Sequence, residues 1–134
     1  MMYNWKTWKK YGRPIVDLGP EGAFDSVLVC LPCVVRDGGE YKLWYSGYDG
    51  KTWRIGLATS RDGISFTKHP ENPVLNIDRN NWDSHGVGYC AVLEEEVYKM
   101  WYVGFDENNA CLGFARLDPP LPRFAVHGDV PVRP

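Results

Sequence analysis

Two short stretches carry the residues best suited to chemistry. "FDS", Phe24 to Ser26, returns later in the chain as "WDS", Trp82 to Ser84. In both, an aromatic residue precedes an Asp-Ser pair at the expected start of a strand. An Asp-Ser pair there has two readings. It caps a turn through side-chain bonds to backbone N–H groups, or it presents a carboxylate to a ligand. His85 follows the second pair and has no histidine partner in the first copy. An imidazole titrates near neutrality, so it can orient a ligand or move a proton.

Cysteine offers a second set. Cys30 and Cys33 form a C-x-x-C, with Cys90 and Cys111 elsewhere. The spacing invites a zinc or redox reading. The pair sits in "DSVLVCLPCVV", which reads as a buried strand. Residues three apart on a regular strand face opposite ways, and no second C-x-x-C follows. The expectation is four free, buried thiols, no metal, no cofactor, and a reducing cytoplasmic setting.

The elements that must position these residues come in duplicate. "YKLWYSGYDG" from Tyr41 returns as "YKMWYVGFDE" from Tyr98, with six of the first nine positions identical. The match extends outward. "IGLATS" from Ile55 pairs with "LGFARL" from Leu112, Phe66 with Phe124, His69 with His127, and "NPVL" from Asn72 with "VPVR" from Val130. Each copy reads as four short strands punctuated by Gly-rich turns, "RDGGE", "DGKT" and "RDG" in the first. No window carries a helical apolar period.

In "YKLWYSGY" bulky residues fall on both faces, so both faces must be covered. Four-stranded antiparallel units, buried on both sides and repeated at long period, point to propeller blades. A β-sandwich or an eight-stranded barrel is the alternative, but neither requires repeated sequence. The expected fold class is therefore all-β. Residues 1–134 form one propeller-type domain: a trailing strand in 1–19, one blade in 20–78 and another in 79–134. A blade cannot bury its faces alone, and two blades do not close a ring, so an incomplete propeller completed by oligomerisation is expected.

Bulk numbers narrow the function. The chain has 134 residues and a net charge of −2, with 15 basic and 17 acidic side chains. The charges are interspersed, which argues against a nucleic-acid surface. No apolar run is long enough to span a membrane, and "MMYNWKTWKKYGRP" has no apolar signal core.

"GEYKLWYSGYDGKTWRIGLATSRDGISFTKHPENPVL" resembles the repeat of the five-bladed β-propeller glycosidases. These are the arabinanase, xylosidase, invertase and levansucrase-like enzymes of glycoside hydrolase families 43, 32 and 68, with their relatives. The resemblance covers nearly the whole chain. It implies a carbohydrate ligand and makes Asp25 and Asp83 the positions expected to act in catalysis. Glycoside cleavage needs paired carboxylates converging on one bond. Trp82, Phe24 and Tyr89 are the rings expected to meet sugar faces, with His85 as a further substrate contact.

No Glu opens an innermost strand. Glu21 lies outside the matched motif, and Glu94 to Glu96 fall at the far hairpin. The resemblance therefore places the general acid in another blade. Because two blades leave a ring open, the chain is either a fragment or a subunit of a homo-oligomer, a dimer or trimer closing a ring. The alternative is a non-catalytic propeller piece that binds carbohydrate or protein.

Overall fold

A computed structural model describes residues 1–118. These residues hold seven strands and no helix. They are β1 (Leu28–Asp37), β2 (Glu40–Tyr48), β3 (Trp53–Ser60), β4 (Thr67–Lys68), β5 (Gly86–Glu94), β6 (Tyr98–Phe105) and β7 (Ala110–Leu117). β1 to β4 form one antiparallel meander and β5 to β7 a second. One parallel pairing, Trp53 with Gly86, joins them. The expected fourth strand of the first copy shrinks to two residues. Its counterpart, with Phe124 and His127, lies outside the described residues, as does the remainder of the second expected blade. Residues 1–19, expected as a trailing strand, contain no strand and are exposed nearly throughout.

The units stack face to face, and alternation on the strands explains why. On β2, Trp44 and Ser46 point toward the second unit, while Leu43 and Tyr45 point away. Between the units lies a cluster of Trp44, Ile55, Val87, Val92 and Tyr102, flanked by Cys33, Leu57, Cys90 and Met100. The other face of the first unit buries Leu43, Tyr45 and Ala58 beneath Val16, Phe24 and Phe66. Both faces of β2 are thus covered, as its sequence demanded. Polar ties reinforce the seam. The Tyr89 N–H donates to Ser46 Oγ at 3.0 Å, and the Tyr98 hydroxyl donates to the Asp37 carboxylate.

Both first strands break register at matching places. β1 slips between Cys30 and Cys33, and β5 between Gly88 and Ala91. Each break holds a non-glycine residue in the left-handed region, Leu31 at φ 57° and Tyr89 at φ 53°. Such bulges insert an extra residue and re-aim the strand. The bulge corrects the reading of the C-x-x-C. Cys30 lies opposite Ser46 and Cys33 opposite Trp44, two positions apart on β2, so the two thiols share a face. All four cysteines are free; three are half-buried and Cys111 is exposed, where four buried thiols were expected.

Close packing within each unit rests on paired glycines. A Cβ on Gly47 would lie 2.6 Å from the Phe24 ring, and one on Gly56 would lie 2.6 Å from that ring and 2.7 Å from Tyr45. In the second unit, Gly104 and Gly113 sit equally close to Trp82 and Tyr102. The aromatic residue before each Asp therefore lies flat on a floor of two glycines contributed by adjacent strands. Gly56→Ala and Gly113→Ala should each destabilise the fold by about 1–3 kcal/mol through overpacking. Urea unfolding followed by tryptophan fluorescence will show a lower midpoint at unchanged slope.

Candidate functional site

The segment leading into each first strand is pinned by the Asp singled out in the sequence. Asp25 is 2% exposed and Asp83 is 7% exposed. The Tyr45 hydroxyl donates to Asp25 Oδ2 at 2.9 Å, and the Tyr102 hydroxyl donates to Asp83 Oδ2 at 3.0 Å. Phe24 stacks on Tyr45 with ring centroids 5.9 Å apart, and Trp82 stacks on Tyr102 at the same separation. The two units thus build one arrangement twice: glycine floor, stacked aromatic pair, buried phenol, buried carboxylate.

The copies differ in what else reaches the carboxylate. Lys68 Nζ lies 2.7 Å from Asp25 Oδ2, and the Asn72 amide donates to the Tyr45 hydroxyl at 3.2 Å. Asp25 therefore ties β2, β4 and the loop beyond into one buried network. A buried carboxylate requires such partners, since desolvation of an isolated charge is costly. In the second copy the sequence match sets Val126 and Val130 where Lys68 and Asn72 stand. Among the described residues, Asp83 has Tyr102 as its one side-chain partner.

The phenols respond to this environment. Burial, followed by the hydrogen bond to Asp25 and its charge, pushes the Tyr45 hydroxyl far above its ordinary value. Burial and then Asp83 push Tyr102 up to about 12. Both phenols therefore stay protonated at neutral pH, and each remains a donor there.

The remaining expected site residues occupy separate surroundings. His85 is exposed; its Nδ1 lies 2.9 Å from Ser84 Oγ, and its backbone N–H donates to the Phe105 carbonyl at 2.8 Å. Nearby, the Asp106 carboxyl is held below its ordinary value chiefly by the N–H groups of Asn108 and Asn109. Tyr89 stands on the β5 bulge, 54% exposed. Trp82 keeps 37% of its surface in solvent, whereas Phe24 is half-buried in the core of the first unit. The structure thus joins Phe24 to Asp25 and Trp82 to Asp83, and sets His85 just before β5 and Tyr89 on it.

Tyr45 and Tyr102 carry no site role in the sequence reading. Their roles as donors to Asp25 and Asp83 were missed, and so was the part of Lys68. The signal was present, because aromatic-Asp-Ser, Trp-Tyr-x-Gly and the later Gly recur as one set. Among the described residues no cluster of three metal-ligating side chains occurs, and no helix is long and apolar enough to cross a membrane.

No protein-family model matches the chain. Two uncharacterised proteins of Mycobacterium tuberculosis are each 30% identical over 112 residues, covering 83% of this chain. The chain spans only 36% of the length of either relative. A crystal structure from Parabacteroides distasonis, described as a candidate glycoside hydrolase, matches 82% of the chain and 38% of its own at TM-score 0.71 and 18% identity. A thermostable family-43 glycoside hydrolase matches 84% of the chain and 41% of its own at TM-score 0.66 and 17% identity. The described residues have the all-β fold of glycoside-hydrolase-type propellers, as two adjoining blades of one.

Two outcomes test the Tyr–Asp arrangement. Asp25→Ala leaves the Lys68 ammonium and the Tyr45 hydroxyl without their acceptor and should cost about 1–3 kcal/mol in chemical unfolding; Tyr45→Phe should cost less, because Lys68 remains. Alkaline titration at 295 nm separates the phenols. A raised folded pKa gives stability that is complete below the unfolded value near 10 and lost as pH rises toward the folded value. Ordinary tyrosines should ionise first, and the fold should loosen between about pH 10 and 12 as Tyr102 loses its proton.

Proposed function

We propose that this chain supplies two blades to a carbohydrate-active propeller of the glycoside hydrolase kind, and that its own part is to bind and orient the sugar. The observation that carries this reading is the contrast between occupied and open groups on a glycosidase-type stack. Asp25 and Asp83 are buried and already accept phenolic hydroxyls. A carboxylate that must reach a glycosidic bond needs access to it. Tyr89, His85 and part of Trp82 are open. Flat amphipathic rings meet sugar faces, and an imidazole offers both a donor and an acceptor to hydroxyls.

The hydrolytic acid and base then come from other blades, supplied by more copies of the chain or by a longer polypeptide like the relatives it matches. Two copies give four blades and three give six, within the usual range of closed propellers.

A second reading keeps hydrolysis within this chain and assigns it to Asp83. One observation favours it. Among the described residues, Asp83 has no lysine of the kind that engages Asp25, which leaves its carboxylate acceptor capacity for a substrate hydroxyl or a water.

Calorimetric titration with arabino-, xylo-, manno- and fructo-oligosaccharides tests both. Tyr89→Ala should weaken binding at least tenfold, about 1.4 kcal/mol, with the far-ultraviolet dichroism unchanged. Asp25→Asn should lower stability and leave binding intact. Wild-type affinity in Tyr89→Ala would remove the binding reading. Turnover lost in Asp83→Asn, with binding retained, would establish the second one.

A further inference from the structure

We propose that the outer face of the second unit docks residues 3–13 of a second copy of this chain. The face follows from register. On β6, Met100 and Tyr102 pack against the first unit, so Trp101 and Val103 point the other way. Phe114 lies opposite Trp101, and Leu112 lies opposite Val103. Residues directly across an antiparallel pair share a face. Trp101 is 40% exposed and Leu112 is 79% exposed. The matching residue of the first unit, Trp44, is 5% exposed because a neighbouring unit covers it. The fold therefore presents, uncovered, a surface of the kind it covers one unit earlier.

The occupant is written in the same chain. Tyr3, Trp5 and Trp8 are each at least 69% exposed. Their rings lie against one another, with centroids 5.5 and 6.3 Å apart. The segment's hydrogen bonds are local, from Lys6 and Thr7 to Asn4 and from Arg13 to Tyr11. Lys6, Lys9, Lys10 and Arg13 make it basic, and it contains no acid. The open face ends at an acidic hairpin, Glu94 to Glu96, all exposed, where Glu95 pairs with Lys99 at 2.9 Å and is, among the described residues, the only one of the three with a cation. Aromatic residues meet an aromatic face, and basic residues meet an acidic rim.

The contact must be between molecules. Val16 packs on the far side of the first unit with Leu43 and Tyr45. The segment before it leaves the stack at the end opposite Trp101 and Leu112. Complementary surfaces at opposite ends give a head-to-tail contact, which closes a ring when the rotation allows.

The test is solution mass by sedimentation of the full chain without sugar, so the sugar-binding reading can fail while this one stands, and the reverse. The wild type should rise with concentration from the single-chain mass to two or more times that value. The Trp5→Ser/Trp8→Ser pair should remain at the single-chain mass, and so should Leu112→Lys. An equimolar mixture of these two should form a dimer and nothing larger, since each retains the surface the other lacks. Unchanged dichroism and thermal midpoints show that the variants fold; Leu93→Lys, on the same rim, replaces Leu112→Lys if that one does not. A wild type that stays at single-chain mass to about 100 µM, or variants that associate as it does, overturns the proposal.

Discussion

A phenol hydroxyl buried in a sheet needs an acceptor, and the strand that carries it cannot supply one to its own side chain. In both units the acceptor is the carboxylate of an Asp that precedes the first strand, so a loop is drawn onto the sheet and held. The aromatic residue before that Asp comes down with it and must lie somewhere. It lies on two glycines, because nothing larger leaves room at 2.6 Å. The bond, the stack and the glycine floor thus form one constraint. It fixes where each first strand begins, and through that start the pairing with the second strand and the face that meets the neighbour. The Gly19 N–H donating to the Asp25 carbonyl at 3.1 Å anchors the same loop from its other side.

From that anchor the stack of units follows. Once β2 is oriented by Tyr45, alternation forces Trp44 and Ser46 to the opposite face, where the second unit meets them. The bulges serve the same seam. With Tyr89 held in a left-handed conformation, its N–H reaches Ser46 on the neighbouring unit. A non-glycine residue at positive φ costs of order 1–3 kcal/mol, which the buried seam offsets. That the cost recurs at the matching position of both units marks the bulge as part of the blade.

Much of this was legible in the sequence. Alternation, Asp-Gly turns and the repeat located every long strand to within a few residues, and the double-sided bulk of "YKLWYSGY" pointed to blades. The bulges were not legible. Leu31 and Tyr89 carry no glycine signal, and a break in alternation leaves no trace in a pattern that is apolar throughout. That silence turned Cys30 and Cys33 onto opposite faces when they share one. Asp25 and Asp83 were found as positions, but their partners were not, because Tyr45 reads as an aromatic among aromatics until the fold sets its hydroxyl beside a carboxylate. Residues 1–19 read as strand from their resemblance to the end of a unit; a strand forms only against a neighbouring strand, and among the described residues none pairs with them.

A repeat within one chain sorts its residues by what each copy must do for itself. Phe24 and Trp82, the two Asp residues, the two Tyr residues and the four glycines recur because every blade must seat its own first strand. Positions that do not recur answer to something else. Lys68 and Asn72 complete the network in the first unit, where the short β4 needs tying down. In the second unit the matched positions are Val126 and Val130, and among the described residues Asp83 has a single phenol as its side-chain partner. Leu31 is half-buried, while Tyr89 on the matching bulge of the second unit stands open. Val27 lies near the place where the second unit carries His85. The second unit thus keeps the scaffold and changes the side chains at its open end. The shared scaffold does not constrain those positions, and it is there that the copies differ.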